Sequence, residues 1–316
     1  MARKRKDSCH LTLPQDQSPA RSCAVCCDVA ADATVRVGLE SLADLRRNPG
    51  ACGGEPLPSS FLKHADEQTV VGLAAVYKAI QSANLPANQF RDWGVLAAPR
   101  FLGRPAMAAA LQRFKSEGAW GVSPHLIPHR SLHSISGTVS QALKIHGPNF
   151  GVGGGPGGAV EVLLAATAML EGKKLPGVWV VLTCLDPEQP PEECGRPAPG
   201  TQCVGLALAL TPISSARPRL RLRVVCGSPD PHAPRRRETH AAGSGFDLPR
   251  LEALLALLHG RRGGDTTLVE LLEPGSRIEL SALRPPLPLA RYPLSSAEER
   301  GQCGADRLQQ VAEMTQ

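Results

Sequence analysis

Apolar residues recur along the chain with two periods, one typical of helices and one typical of buried strands. Helical spacing predicts helices over residues 66–83, 105–114, 135–145 and 159–170. Short apolar or alternating runs predict strands at residues 34–39, 93–97, 150–152, 177–182, 203–210 and 220–226. Strands that alternate with helices in this order favour an α/β fold, in which helices cover the faces of a sheet.

The pattern changes at both ends of this central part. Residues 1–33 have no sustained periodicity, which predicts a poorly ordered N-terminal extension before a domain at residues 34–226. Residues 227–247 are rich in Pro and Arg and are interpreted as a linker. Residues 248–316 then form a small C-terminal extension and tail. We expect a leucine-rich helix at 248–258 there, followed by a strand pair at 267–271 and 277–280.

Composition and charge exclude several classes of protein. The net charge of +6 includes two short basic runs, at residues 3–6 and 235–237, without the aromatic platform of a nucleic-acid site. No apolar run is long enough for a membrane span or a signal peptide, so we expect a cytoplasmic protein without membrane or nucleic-acid partners. The ten cysteines lack a second ligand pair at zinc-site spacing, so neither a metal nor a cofactor is expected.

A glycine-rich turn at residues 151–158 separates a predicted strand from a predicted helix. Glycines allow the backbone to approach a ligand closely, and a helix N-terminus attracts anions. The turn is therefore a candidate pocket, and its members are Gly153, Gly154, Gly155, Gly157 and Gly158. The G-x-G-x-x-G spacing is also met, but the acidic residue of a dinucleotide site is not convincingly placed. A nucleotide- or phosphate-binding module stays open as one alternative.

Motifs before the turn resemble a known family. They are Val122-Ser123-Pro124, Ile127-Pro128, Gly137 and Gly147-Pro148-Asn149. In order and spacing they are similar to the N-terminal half of β-ketoacyl-acyl-carrier-protein synthases, over roughly residues 34–226. The resemblance implies a thiolase-like layered fold, mainly the N-terminal half, with a short divergent C-terminal extension.

The resemblance also implies that the active site has lost its chemistry. The family's nucleophile is a Cys in a Thr-Ala-Cys-x-x-Gly elbow, and counting from Gly147 its position falls on Pro156. Residues 238–244 faintly resemble a segment with one of the family's two catalytic histidines, but they follow Pro156 too closely. No catalytic residue is therefore expected. His133 stands where the family usually has Asn, and it is interpreted as a pocket residue or, alternatively, a structural histidine.

These implications lead to three hypotheses for function. The first is a non-catalytic ketoacyl-synthase-like partner or scaffold in fatty-acid, polyketide or related acyl-chain biosynthesis. Its partners would be an active ketoacyl synthase subunit or an acyl carrier protein, in a homo- or heterodimer. The second is an acyltransferase or decarboxylase-like enzyme that uses the glycine turn as an oxyanion or acyl pocket without a cysteine. The third is the nucleotide- or phosphate-binding module.

Overall fold

The computed structural model describes residues 23–50, 57–124, 126–155, 157–173, 175–188, 197–213, 220–226, 247–260, 266–272 and 276–282. The strands are β1 (Cys23–Gly38), β2 (Gly94–Pro99), β3 (Asn149–Gly151), β4 (Val178–Asp186), β5 (Gln202–Pro212), β6 (Leu220–Cys226), β7 (Thr266–Leu272) and β8 (Ser276–Ala282). The helices are α1 (Leu42–Arg47), α2 (Glu67–Ser82), α3 (Arg104–Glu117), α4 (Leu126–Arg130), α5 (His133–Leu143), α6 (Gly158–Lys173) and α7 (Leu248–Gly260). Short 3₁₀ turns lie between several of them.

The eight strands of the described residues belong to one mixed sheet with the order β3-β2-β4-β5-β1-β6-β8-β7. β3, β2 and β4 are parallel, and the remaining neighbours are antiparallel. β4 lies inside the sheet, and its residues from Val178 to Cys184 are all buried. Burial on both faces explains why this strand reads as a continuous apolar run rather than an alternating one.

Helices cover both faces of the sheet and so create two apolar cores. α2 and α5 pack on one face, where the fully buried Leu73, Ile135 and Trp179 lie. α6 and α7 pack on the other face, around Leu163, Leu206 and other aliphatic side chains. The predicted α/β layered fold is confirmed.

The helix predicted at residues 66–83 is α2, and local sequence explains both of its ends. The carboxylate of Asp66 accepts a hydrogen bond from the backbone N–H of Gln68 at 2.9 Å and caps the helix. At the other end Asn84 has a positive φ of 50°, a conformation that Asn tolerates better than most residues. Within α2, Gly72 lets the helix pack closely on Val181, because a Cβ there would lie 3.1 Å from that side chain.

The start of the sheet differs from the sequence-based expectation. The strand predicted at residues 34–39 is the end of β1, which begins at Cys23, within the segment for which no periodicity was found. A β-bulge between Val29 and Ala31 moves the alternation from one face of the sheet to the other. Cys and Ala also have little strand preference, so the pattern was weak. Residues 1–22 lie outside the described residues.

The elements predicted after residue 247 are confirmed as α7, β7 and β8. β8 pairs with β6, so the described strands on both sides of residue 226 share one sheet. The chain forms one unit over Met1–Leu283 and a second over Arg284–Gln316, which lies outside the described residues. The predicted domain boundaries and the linker remain predictions.

Candidate functional site

The glycine turn begins where β3 ends, beside the C-terminal part of β2. The N–H of Val152 donates to the carbonyl of Ala97 at 2.8 Å and extends the β2–β3 pairing into the turn. Gly153 and Gly154 then have φ angles of +72° and +114°. Left-handed backbone of this kind favours glycine, since a Cβ would be strained there. The backbone carbonyl of Gly154 accepts a hydrogen bond from the N–H of Phe101 at 3.0 Å, which joins the turn to the segment that follows β2.

The strand end beside the turn is held in a close backbone contact. A Cβ at Gly151 would lie 2.2 Å from the carbonyl oxygen of Leu132. No side chain fits in that space, so glycine is required for packing rather than for a positive φ. The same Leu132 covers Gly154 with its side chain, 3.1 Å from the ideal Cβ position. Leu132, the residue before α5, thus packs directly against the glycine turn, and a pocket at the turn stays a prediction.

The first turn of α6 follows directly and orients backbone groups toward the glycines. The N–H groups of Val160 and Glu161 donate to the carbonyl of Gly157 at 3.1 and 3.2 Å. The N–H of Gly158 donates to Gly155 at 3.3 Å. Pro156 lies outside the described residues, so its place at the nucleophile position remains a prediction from the sequence.

A carboxylate of the protein lies over this turn. One carboxylate oxygen of Glu161 would be 2.9 Å from a Cβ at Gly153, and the other 3.7 Å from a Cβ at Gly157. The negative charge therefore occupies the space in front of the α6 N-terminus, where the helix dipole favours it. A second anion bound at this point would be repelled by Glu161.

His133 begins α5 and is exposed. Its Nδ1 lies 3.3 Å from the hydroxyl of Ser136, and its ring covers Gly137, whose Cβ would lie 3.2 Å from Nε2. These contacts are within its own helix, whereas the neighbouring Leu132 contacts the glycine turn. A pocket role for His133 stays a prediction. His232 and His240 lie outside the described residues.

The buried cysteines among the described residues are poor nucleophiles. Burial raises the pKa of Cys27 and of Cys184 to about 12, and it raises the pKa of Cys203 well above the ordinary value. At neutral pH these side chains are thiols, which are weak nucleophiles. Within the same described residues, no group of three or more His, Cys, Asp and Glu side chains could hold a metal ion. None of the helices described there is both long and apolar enough to cross a membrane.

Sequence reasoning missed an exposed apolar surface. Met107, Leu111 and Phe114 follow one another along α3 and form what we call the α3 stripe, with Phe114 52% exposed. Trp120, just after the helix, is 99% exposed. The i, i+4, i+7 spacing was visible in the sequence, but it is equally typical of a helix that packs on a core. Of the α3 residues, only Ala110 is buried.

A small cavity and an ion pair lie close to α3. A small cavity, with room for about one water molecule, is lined by Arg104, Glu188 and Thr201 among others. One oxygen of Glu188 is 3.3 Å from Arg104, while the other is buried without a hydrogen-bond partner in the described structure. Burial raises the pKa of Glu188, and Arg104 opposes the rise. None of the candidate glycines lines this cavity.

Comparison with known proteins gives structural matches only. No family model and no curated protein sequence matches this chain. The ishigamide ketosynthase/chain length factor is 17% identical with a TM-score of 0.44, over 63% of this chain and 65% of that one. A beta-ketoacyl synthase from Burkholderia phymatum STM815 is 11% identical with a TM-score of 0.43, over 63% of each chain. This chain thus spans less than two thirds of the length of either structure.

A third match covers more of both proteins. The ketosynthase ApeO in complex with its chain length factor ApeC, from Xenorhabdus doucetiae, is 14% identical with a TM-score of 0.48. The match covers 81% of this chain and 98% of that one. Ketosynthases are thus among the solved structures to which this α/β chain is similar.

Proposed function

We propose that the chain is a non-catalytic ketoacyl-synthase-like subunit that acts as a partner or scaffold in acyl-chain biosynthesis. The observation that carries the proposal is the glycine turn. Its strand, its two left-handed glycines and its helix follow one another in the order that the resemblance implies for a nucleophile elbow, which supports the proposal. The sequence has Pro156 at the position where the resemblance places the nucleophile, and proline cannot accept an acyl group.

The charge at the turn supports the same proposal. Acyl transfer develops negative charge on the substrate oxygen, and enzymes stabilise it with donors that are free to face it. Here the carboxylate of Glu161 lies over the glycines and would repel that charge. The same repulsion weakens the case for a bound phosphate or for a cysteine-free oxyanion pocket.

The exposed apolar surface supports a role in assembly. A helix as short as α3 is only marginally stable in water without tertiary contacts. Among the described residues of α3 only Ala110 is buried, so the rest of the described chain provides few such contacts. Contiguous exposed apolar side chains are typical of interaction sites. β3 forms one edge of the described sheet, with Phe150 40% exposed, and sheet edges pair readily with other chains. We therefore propose a homo- or heterodimer with an active ketoacyl synthase, or a complex with an acyl carrier protein, in the cytoplasm.

Quantitative co-purification from the native host tests this proposal. We expect the immobilised wild-type chain to enrich a ketoacyl synthase or an acyl carrier protein, identified by mass spectrometry. Phe150→Lys places a charge on the sheet edge and should reduce that enrichment at least tenfold. Leu257→Lys is the matched control, since Leu257 is comparably exposed but lies on α7. Failure of the wild type to enrich either class would contradict the proposal.

A further inference from the structure

Arg130, the last residue of α4, connects three segments of the chain. One guanidinium nitrogen donates hydrogen bonds to the backbone carbonyls of His64 and His129, each at 3.2 Å. The aliphatic part of the side chain packs on the backbone at Gly103, where a Cβ would lie 2.8 Å from the Arg130 Cδ. The guanidinium Nε faces the carboxylate of Asp66. The segment before α2, the start of α3 and the end of α4 thus meet at this one side chain.

The contact between Arg130 and Asp66 depends on charge. The Nε atom is 3.1 Å from one carboxylate oxygen, but it is buried without an aligned hydrogen bond in the described structure. The Asp66 side chain is 3% exposed, so solvent screens the attraction between the two charges only weakly. A proton on Asp66 would remove that attraction and leave the Arg130 charge without its counter-ion. The guanidinium would then favour a position closer to water, which already reaches part of it, since Arg130 is 17% exposed.

Arg130 is joined to the glycine turn through Leu132. The backbone between them is held in a tight loop, because the hydroxyl of Ser134 donates to the carbonyl of Pro128 at 2.9 Å. Leu132 lies inside this loop, and its carbonyl oxygen is only 2.2 Å from the ideal Cβ position of Gly151. A displacement of Arg130 would therefore reach the residue that covers the turn.

Several charged or titratable groups surround Asp66 and its partner. Among the described residues these are Glu67 of α2, Arg130 and His129 of α4, His64 of the segment before α2 and Cys203 of β5. Burial raises the pKa of Asp66 to about 7; Glu67 adds to the rise and Arg130 opposes it. Burial also raises the pKa of Cys203, which is therefore an uncharged thiol at neutral pH. Asp66 is thus a group whose charge changes near neutral pH while its counter-ion stays charged.

We propose that Asp66 and Arg130 form a proton-operated latch on the glycine turn. With Asp66 ionised, Arg130 is held and Leu132 covers the turn. With Asp66 protonated, the segment at residues 126–132 loosens and the glycines become accessible. The latch is independent of the function proposed above, because it controls access to the turn whatever the turn binds.

The direction of the pH effect follows from which state of the latch binds the proton more tightly. Arg130 lowers the pKa of Asp66 in the closed latch, so departure of Arg130 raises that pKa while the carboxyl stays buried. The open latch therefore binds the proton more tightly, and opening increases as the pH falls through about 7. Global unfolding has the opposite dependence, because it exposes Asp66 to water, where its pKa is ordinary.

Hydrogen–deuterium exchange of the full native chain, followed by mass spectrometry, tests the latch. Exchange is compared at about pH 6 and about pH 8, after correction for the intrinsic effect of pH on amide exchange. We expect peptides over residues 126–132 and 149–155 to be protected at least about threefold less at the lower pH. Peptides over β4, which lies in the buried part of the sheet, should not lose protection there.

Variants assign the effect to the ion pair. Asp66→Asn keeps a capping side chain without the charge, so both segments should have the low protection at both pH values. Arg130→Met removes the counter-ion and should give the same result, whereas the exposed Asp44→Asn should behave as the wild type. Circular dichroism first establishes that the variants fold, and the wild-type comparison needs no substitution. Equal or higher protection of residues 126–132 at the lower pH in the wild type, or a pH effect that persists in Asp66→Asn, would overturn the proposal.

Discussion

The guanidinium Nε of Arg130 lies 3.1 Å from the buried carboxylate of Asp66, and this ion pair joins α4 to the start of α2. Arg130 also donates to the carbonyls of His64 and His129, each at 3.2 Å. Burial raises the pKa of Asp66 to about 7; Glu67 adds to the rise and Arg130 opposes it. Ionisation of Asp66 therefore costs more free energy in the folded chain than in the unfolded chain.

We predict that this acid makes stability depend on pH. The folded chain binds the Asp66 proton more tightly than the unfolded chain does. The stabilisation that protonated Asp66 contributes to the folded state is therefore fully present below about pH 4, and it is lost as the pH rises to about 7. Over that range the unfolding free energy of the wild type should fall by up to about 4 kcal/mol relative to Asp66→Asn. Urea unfolding at a series of pH values measures the difference. The exposed Asp44→Asn serves as control, and parallel curves for wild type and Asp66→Asn would refute the assignment.

Gly151 and Gly155 offer a matched pair of substitutions in the turn. Gly151→Ala places a methyl group 2.2 Å from the Leu132 carbonyl, so the backbone must move, at a cost of about 1–3 kcal/mol. Gly155→Ala meets no atom within 4 Å and should change stability by less than about 0.5 kcal/mol. Chemical denaturation of the two variants measures both values. Equal effects would mean that Leu132 does not close the turn as described.

The packing of α7 gives a second matched pair. Leu251 is fully buried against the sheet, whereas Leu257 on the same helix is 51% exposed. Leu251→Ala should lower the free energy of unfolding by about 2–5 kcal/mol, because it leaves a cavity. Leu257→Ala should lower it by about 0.5 kcal/mol or less. If guanidinium unfolding shows similar losses for both, α7 does not pack on the sheet through the described face.

The α3 stripe should mediate assembly of the chain with itself or with its partner. Phe114→Glu introduces a charge into this surface and should weaken association at least tenfold, with little effect on folding. Sedimentation velocity over a range of concentrations measures the effect, first for the chain alone and then with a co-purified partner. Gln112→Glu changes an exposed polar residue on the same helix and should leave association unchanged. An unaltered complex in Phe114→Glu would exclude the stripe from the interface.

The sequence predicted most of the regular structure because helical and strand periods survive in its buried faces. Residues 66–83 show this best, since a cap at Asp66 and a stop at Asn84 agree with the apolar pattern between them. β1 was missed over its first part because the bulge near Val29 interrupts the alternation. The bulge is a shift in the pairing of β1 with β5, which is distant in sequence, so the local alternation of residues could not predict it.

The candidate site was predictable only in outline. The glycine turn was found between its strand and its helix, because glycine runs are visible in any sequence. The approach of Leu132 to Gly151 and the pairing of Arg130 with Asp66 depend on how distant segments pack. The position of the Glu161 carboxylate over the glycines likewise depends on the geometry of the turn.

Intact-protein mass spectrometry after incubation with acyl-carrier-protein thioesters and malonyl thioesters tests the central claim most directly. An active ketoacyl synthase treated in the same way is the positive control, since it retains the acyl group on its cysteine. We predict that this chain keeps its unmodified mass and releases no condensation or decarboxylation product. A stoichiometric acyl adduct on this chain, or product formed by it alone, would contradict the account.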